Sequence, residues 1–239
     1  RFKKGSEVNA NRLMLTQATL NQLGFRDDTL SFIKISNKAV YDTQKCVGCD
    51  KCTFICPYEA IEAMSLATPQ IDQEKCIGCG ACALVCPHLA IQLKGFEYEP
   101  ISKMVIDLGA KAKKLKSEGV KPVVLVFCCQ WSEFSALDNI QSSVKENILF
   151  LELPCSGGVD PLHILEAFHS GFDGVLIVAC KKSECKLEKG NEKAEQHVSS
   201  LKKLLAQVNL ENRLEICFAS PKYLGELDRY IKSFMEIIS

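Results

Sequence analysis

Lys45-Cys46-Val47-Gly48-Cys49-Asp50-Lys51-Cys52-Thr53-Phe54-Ile55-Cys56-Pro57-Tyr58-Glu59-Ala60-Ile61 is followed, after a short spacer, by Lys75-Cys76-Ile77-Gly78-Cys79-Gly80-Ala81-Cys82-Ala83-Leu84-Val85-Cys86-Pro87-His88-Leu89-Ala90-Ile91. The two stretches are copies of one pattern, C-x2-C-x2-C-x3-C-P. Three thiols separated by two residues each can wrap one side of a compact inorganic group while the backbone turns around it. Gly48, Gly78 and Gly80 let the chain come close to the sulfurs without a Cβ in the way. The proline after each fourth cysteine ends the loop and turns the following segment away. Zinc sites use paired C-x2-C elements, but not two tandem blocks of four cysteines closed by proline. A disulfide framework has no need of the repeated Gly and Pro positions.

The repeat resembles the run of the bacterial ferredoxins, in which each motif's fourth cysteine serves the other motif's cluster. That resemblance implies two [4Fe-4S] clusters. Cluster I takes Cys46, Cys49, Cys52 and Cys86; cluster II takes Cys76, Cys79, Cys82 and Cys56. Tyr41, Phe54, Ile55, Tyr58, Ile61, Ile77, Val85 and Ile91 are expected to form an apolar coat that keeps water off them. His88 is expected at the surface or behind the ligands rather than among them. Such thiolates must stay reduced, which points to the cytoplasm of an anaerobe or a low-oxygen cell.

The rest of the composition sets bounds on this reading. The chain has 239 residues, 29 Lys+Arg against 29 Asp+Glu, 47% apolar residues and 14 cysteines. Balanced charge removes the usual argument for a nucleic-acid or anionic-membrane partner. No apolar run approaches the roughly 20 residues a membrane helix needs. The chain opens Arg1-Phe2-Lys3-Lys4-Gly5 with neither an initiator Met nor a signal-peptide core, so it reads as processed, trimmed or part of something longer.

From Gly119 onward the periodicity changes. Continuous apolar runs with strand character fall at Pro122–Cys128, Ile148–Leu153, Gly174–Ala179 and Leu214–Phe218. Helical periods fall between and after them, at Asp160–Ser170, Asn191–Val208 and Pro221–Ile238, with a shorter one at Trp131–Val144. Strands buried on both faces, alternating with helices, imply an α/β domain with an open, mostly parallel sheet covered by helices. Asp160-Pro161 is a helix start, Asp as cap and Pro in the first turn. The expected organisation is an N-terminal helix and strand (1–40), a small α+β 2[4Fe-4S] ferredoxin domain (41–95), a helical connector (96–120) and the α/β domain (121–239). The connector's basic run, Lys111–Lys116, reads as a solvated face, with partner docking as the alternative.

The six cysteines outside the repeat are placed informatively. Cys128 and Cys129 end the first strand, Cys155 follows the second, Cys180 ends the third and Cys185 lies in the loop beyond. Cys217 sits inside the fourth strand as a small buried hydrophobe. Ligands of parallel α/β sheets bind beyond the carboxyl ends of the strands. Five cysteines there suggest a further metal site or a redox dithiol, against the plainer reading of structural thiols.

Phe127-Cys128-Cys129-Gln130-Trp131, then Pro154-Cys155-Ser156-Gly157 with Asp160-Pro161 and Ile164-Leu165, resembles the delta subunit of methyl-viologen-reducing hydrogenase. Ala167-Phe168, Gly171-Phe172-Asp173-Gly174-Val175-Leu176, Cys180 with Cys185, and Gly190-Asn191-Glu192-Lys193-Ala194 continue the likeness, which covers about Lys121 to Ser220. The resemblance implies a [2Fe-2S] cluster and electron transfer between a hydrogenase or other donor and a heterodisulfide-reductase-type flavoprotein. Similar fusions of ferredoxin and delta-type modules belong to the A-subunit of heterodisulfide reductase and to the B-subunit of the quinone-interacting membrane-bound oxidoreductase. This chain departs from the family in Ser132 for a cysteine, Gly158 for an arginine, and Lys181, Lys182 and Lys186 where histidine is usual. Cys129, Cys155, Cys180 and Cys185 remain as the candidate [2Fe-2S] ligands with Cys128 in reserve; a clusterless docking domain is the alternative. Lys4–Ala10 resembles Lys189–Ala194, and each leads into an amphipathic helix (Asn11–Leu23, Glu195–Val208) and a strand-like run (Leu30–Ile35, Leu214–Phe218). Residues 1–40 then read either as the tail of a second delta-type domain or as an unrelated helix and strand.

The expected role is therefore an electron-transfer subunit in anaerobic energy metabolism. It would relay single electrons between a flavin-containing heterodisulfide-reductase-like subunit and a hydrogenase, formate enzyme or quinone module. A thiol/disulfide redox enzyme and a docking scaffold are the alternatives. No G-x-G-x-x-G follows a strand, so no flavin or nucleotide is expected on this chain. None of His88, His163, His169 and His197 lies in a recognisable catalytic arrangement. The expected location is the cytoplasm, including the cytoplasmic face of the membrane through partners.

Overall fold

The computed structural model describes residues 38–64, 67–129, 132, 146–185, 189–220, 222–223 and 225–239. The expected elements at Asn11–Leu23 and Leu30–Ile35 lie outside these residues. So does the helix at Trp131–Val144, Ser132 apart, and so does Lys186. The chain divides into two compact units, Arg1–Pro100 and Ile101–Ser239.

In the first unit, β1 (Ala39–Tyr41) pairs antiparallel with β4 (Ile91–Leu93), and β2 (Ile61–Met64) pairs antiparallel with β3 (Ala67–Ile71). Two short helices, α1 (Lys51–Ile55) and α2 (Ala81–Leu84), each begin at the third cysteine's turn. The copies share a set of backbone bonds. Cys46 N donates to Asp42 O and Cys76 N to Asp72 O, both near 3 Å; Asp42 N donates to Ala90 O at 2.7 Å and Asp72 N to Ala60 O at 2.8 Å. The last two bonds run between the copies, so each repeat closes the other. Asp50 and Gly80 occupy the same left-handed turn, at φ 55° and 82°. Glycine takes that conformation at little cost and Asp is among the few others that tolerate it.

The second unit is a four-stranded parallel sheet in the order β6-β5-β7-β8. Its strands are β5 (Val124–Cys129), β6 (Ile148–Leu153), β7 (Gly174–Cys180) and β8 (Leu214–Ala219). Every residue of β5 and β7 is buried, which is why both read as continuous apolar runs rather than alternating ones. One face, with Val124, Val126, Cys128, Leu176, Val178 and Cys217, packs on Leu227, Ile231, Phe234 and Ile238 of helix α6 (Glu226–Ile238). Each of those side chains contributes roughly 1.5–3 kcal/mol by leaving water. The opposite face, Leu125, Phe127, Leu149, Leu151, Val175 and Ile177, is equally closed to solvent.

Helix α4 (Pro161–Ser170) starts as its sequence demands: the Asp160 carboxylate accepts from Leu162 N at 2.8 Å, Pro161 fills the first turn, and Gly171 ends the helix. Helix α5 (Gly190–Leu205) continues as a 3-10 turn, Ala206–Val208, so the expected span to Val208 is continuous but tightens at its end. The last helix begins at Glu226 rather than at Pro221, because Gly225 takes the left-handed conformation that starts it.

The segment expected as a connector is helix α3 (Tyr98–Ser117). Its Ile101, Val105, Leu108 and Ala112 are buried. Its basic run is not a wholly solvated face. Lys116 Nζ lies 2.6 Å from Asp173 Oδ1 and donates to Gly171 O at 3.2 Å, while Asp173 Oδ2 accepts from Val123 N at 2.9 Å. The lysine therefore ties the end of α3 to the starts of β5 and β7. Among the described residues no helix is long and apolar enough to cross a membrane.

Where α3 crosses α4, Gly109 meets Ser170, and a Cβ built there would fall 2.3 Å from Ser170 Cβ and 2.8 Å from Ser170 O. Replacing a helical glycine by alanine ordinarily gains up to about 1 kcal/mol. Here the clash is with backbone and costs more, about 1–3 kcal/mol. Gly109→Ala is expected to lower the urea midpoint of the full chain; an unchanged or raised midpoint would show that the two helices separate freely.

Candidate metal centres

The structure gathers the repeat's cysteines around two separate hollows. Cys46, Cys49, Cys52 and Cys86 line one of about 320 Å³, with Tyr41, Asp50 and His88 on its wall. Cys76, Cys79, Cys82 and Cys56 line the other, of about 330 Å³, with Ala39, Tyr58, Ile61 and Leu93. Each hollow thus takes three cysteines from one repeat and the fourth from its copy. Electrostatics also couple the two sets, since Cys52 adds to the push on Cys82. The Cys52 thiol is pushed up by burial and then by Cys86 and Cys46. That of Cys82 is pushed up by burial and then by Cys79, Cys76 and Cys56. Four cysteines facing one hollow suit a cationic guest, since iron ligation requires thiolates.

Backbone donors reach the sulfurs from both copies. Glu59 and Leu89 each adopt φ 49° after the Cys-Pro turn. That geometry aims Ala60 N at Cys56 Sγ (3.4 Å) and Ala90 N at Cys86 Sγ (3.2 Å). Ala39 N donates to Cys76 Sγ at 3.5 Å, and Lys38 Nζ donates to the Cys76 carbonyl. Tyr41 Oη lies 2.9 Å from Cys52 Sγ, and burial pushes the Tyr41 hydroxyl well above its ordinary range, keeping its proton. Spacing alone could not reveal these bonds; the shared place of Ala60 and Ala90 in the two repeats was the only hint. The expected coat is partial. Ile61 and Ile91 are buried, but Phe54 is 89% exposed and Ile77 38%, because one short turn of helix cannot direct every apolar residue inward. His88 stands exposed at the rim of the first hollow.

In the second unit the chain leaves β5 for one side of the sheet (β6) and then returns to the other (β7). The carboxyl ends of β5 and β7 therefore flank the switch point, where open α/β sheets bind ligands. Cys129 and Cys180 end these two strands with their sulfurs 3.5 Å apart. Cys155 follows β6 and accepts from Gly157 N at 3.3 Å. The Cys180 thiol is pushed well up, first by its hydrogen bond with Cys129 and by burial, then by the charges of Cys129, Cys185 and Cys155. Cys129 and Cys180 are thus in contact, and Cys155 and Cys185 lie near enough to act on Cys180 by charge.

Cys128 is not with them. Successive strand residues face opposite ways, and Cys128, wholly buried, joins Val178 and Cys217 in the apolar cluster beneath α6. Ser132, where the resemblance implies a cysteine, closes the turn after β5: its hydroxyl donates to Cys129 O at 2.7 Å and lies 3.3 Å from Cys128 Sγ. Gly157 approaches Gly190 so closely that a Cβ there would fall 2.6 Å from Gly190 O. Asn191, from the same turn, donates to Cys180 O at 3.0 Å. Among the described residues no three His, Cys, Asp or Glu side chains close on a point as they would around one ion.

Residues 124–239 match the family described as methyl-viologen-reducing hydrogenase, delta subunit, and residues 38–105 match a 4Fe-4S dicluster domain. Over 120 residues the chain is 33% identical to the iron-sulfur D-subunit of the F420-non-reducing hydrogenase of Methanocaldococcus jannaschii, covering 48% of this chain and 87% of that protein. The corresponding protein of Methanopyrus kandleri is 34% identical over 119 residues, 48% of this chain and 88% of its own length. A longer likeness, 33% over 204 residues, is to the A-subunit of the ferredoxin:CoB-CoM heterodisulfide reductase of Methanosarcina mazei; it spans 82% of this chain and 25% of that protein.

Glu152, half-buried near Cys129, went unnoticed in the sequence. Burial and then the Cys129 charge raise its carboxyl from 4.5 to about 7. A carboxyl raised on folding stabilises the fold at low pH and loses that contribution as pH rises through its folded value. Stability should therefore fall by about 1–3 kcal/mol between pH 5.5 and 8.5. Glu152→Gln should flatten that slope in denaturation measured at the two pH values; an unaltered slope would assign it to other groups.

Proposed function

The chain belongs to the methyl-viologen-reducing hydrogenase delta-subunit family, with a 4Fe-4S dicluster domain ahead of the family domain, and on that premise we propose a specific place for it between redox partners. It is an iron-sulfur electron-transfer subunit of the hydrogenase and heterodisulfide-reductase kind. In our reading it relays single electrons between a flavin-containing heterodisulfide-reductase-like subunit and a hydrogenase, formate enzyme or quinone module, in the cytoplasm of an anaerobic cell.

The observation that carries this reading is the pair of hollows, each lined by four cysteines in the crossed pattern. We assign Cys46, Cys49, Cys52 and Cys86 to one [4Fe-4S] group, and Cys76, Cys79, Cys82 and Cys56 to the other. When bound, such groups supply one-electron chemistry across a wide range of potential. The chain's own residues do the rest: the crossed cysteines hold each group, Ala60 and Ala90 donate to the ligand sulfurs, and the buried Ile61, Ile91 and Leu93 exclude water. We assign Cys129, Cys155, Cys180 and Cys185 to a [2Fe-2S] group at the switch point of the parallel sheet. Their mutual proximity supports this, as does the Gly157–Gly190 approach that holds the Cys155 loop beside Asn191 and Cys180. The 3.5 Å contact between Cys129 and Cys180 favours one further reading, a dithiol that gives up two electrons and two protons on forming a disulfide.

Iron and acid-labile sulfide on the full chain should reach about eight irons from two [4Fe-4S] groups and about two more from the third site. Cys155→Ala or Cys180→Ala should remove only those two, together with a [2Fe-2S] EPR signal. A wild-type chain that stops at about eight irons without that signal removes the third centre. Turnover of a low-molecular-weight disulfide, lost in Cys129→Ala, would establish the dithiol in its place.

A further inference from the structure

The repeats match in sequence and backbone, so wherever one hollow carries a chemical group the other lacks, that group distinguishes the two centres. Tyr41 and Ile71 occupy equivalent places before their first cysteines. Tyr41 stands on the wall of the Cys46/Cys49/Cys52/Cys86 hollow with its hydroxyl 2.9 Å from Cys52 Sγ. A thiolate sulfur bears no proton, so once Cys52 is a ligand this bond runs from the tyrosine O–H to the sulfur. Isoleucine at position 71 has no such proton to give. Tyr41 is seated for the role, because Tyr41 and Ile91 are register partners in the β1–β4 ladder. That ladder fixes the strand from which the ring reaches Cys52.

Reduction adds negative charge that is shared with the ligand sulfurs. A donor aimed at one of them stabilises the reduced state and raises the potential. Resting on the cluster assignment above, we propose that Tyr41 is a positioning residue that raises the reduction potential of the Cys46/Cys49/Cys52/Cys86 centre alone. An opposing group sits at the same hollow. Asp50, which the other copy replaces by Gly80, lines its wall with Oδ1 buried and without a hydrogen-bond partner. A carboxylate there disfavours added negative charge. The hydroxyl and the carboxylate act with opposite sign on one centre, so its potential is set by two side chains that can be removed separately.

The test is a redox titration of the full chain followed by EPR, in which the two [4Fe-4S] potentials are read together. Tyr41→Phe keeps the ring and removes the proton. It should lower one potential by up to a tenfold loss in the reduction equilibrium constant, 59 mV for a one-electron couple, and leave the other in place with iron content unchanged. Asp50→Gly, which suits the left-handed turn, should raise that same potential. About eight irons with neither potential moved by Tyr41→Phe, or with both moved equally, overturns the proposal and leaves the cluster assignment standing. A wild-type chain that binds no iron overturns both.

Discussion

The first unit gathers eight cysteines, four around each of two hollows, and its architecture follows from that gathering. In each hollow one thiol, Cys52 or Cys82, is pushed up by burial and by neighbouring cysteines. A cationic guest reverses the sign of the problem, turning mutual repulsion into common attraction. Everything near the hollows serves that exchange: left-handed turns carry the chain around the sulfurs, and alanines too small to intrude bring their amides to the fourth cysteine.

The second unit meets the same problem by other means. Its sheet is assembled and buried by continuous apolar strands and an amphipathic final helix, with Cys128 and Cys217 as small members of that core. The cysteines are then placed where strand order reverses, beyond the packed layers. A rigid sheet fixes Cys129 and Cys180, while a loop held at Gly157 brings Cys155. The first unit thus builds its fold around its ligands, and the second mounts its ligands on a finished fold.

What could be read from the sequence follows this division. The two four-cysteine blocks were legible because their spacing is local and repeated; the crossed grouping, in which the hollows are lined, came from the resemblance to the ferredoxin run. The strands were legible because burial on both faces leaves unbroken apolar runs, and α4 because Asp160, Pro161 and Gly171 mark its ends. Features that depend on one residue's direction were not. Cys128 and Cys129 are adjacent and identical, yet one lies in the core beneath α6 and the other meets Cys180. Phe54 has the composition of a core residue but points outward from a single helical turn. Lys116 belongs to a run that looks solvated, and only the distant Asp173 draws it in. The role of Tyr41 depends on how closely its hydroxyl approaches Cys52, which no spacing records.

The reciprocal bonds between the copies, Asp42 to Ala90 and Asp72 to Ala60, together with the exchanged fourth cysteines, leave neither half able to stand alone. Alkylation or oxidation of Cys56 or Cys86 removes a wall from one hollow while loosening the repeat that frames the other. Because each repeat frames the other, a change at one shared cysteine is expected to disturb both hollows together.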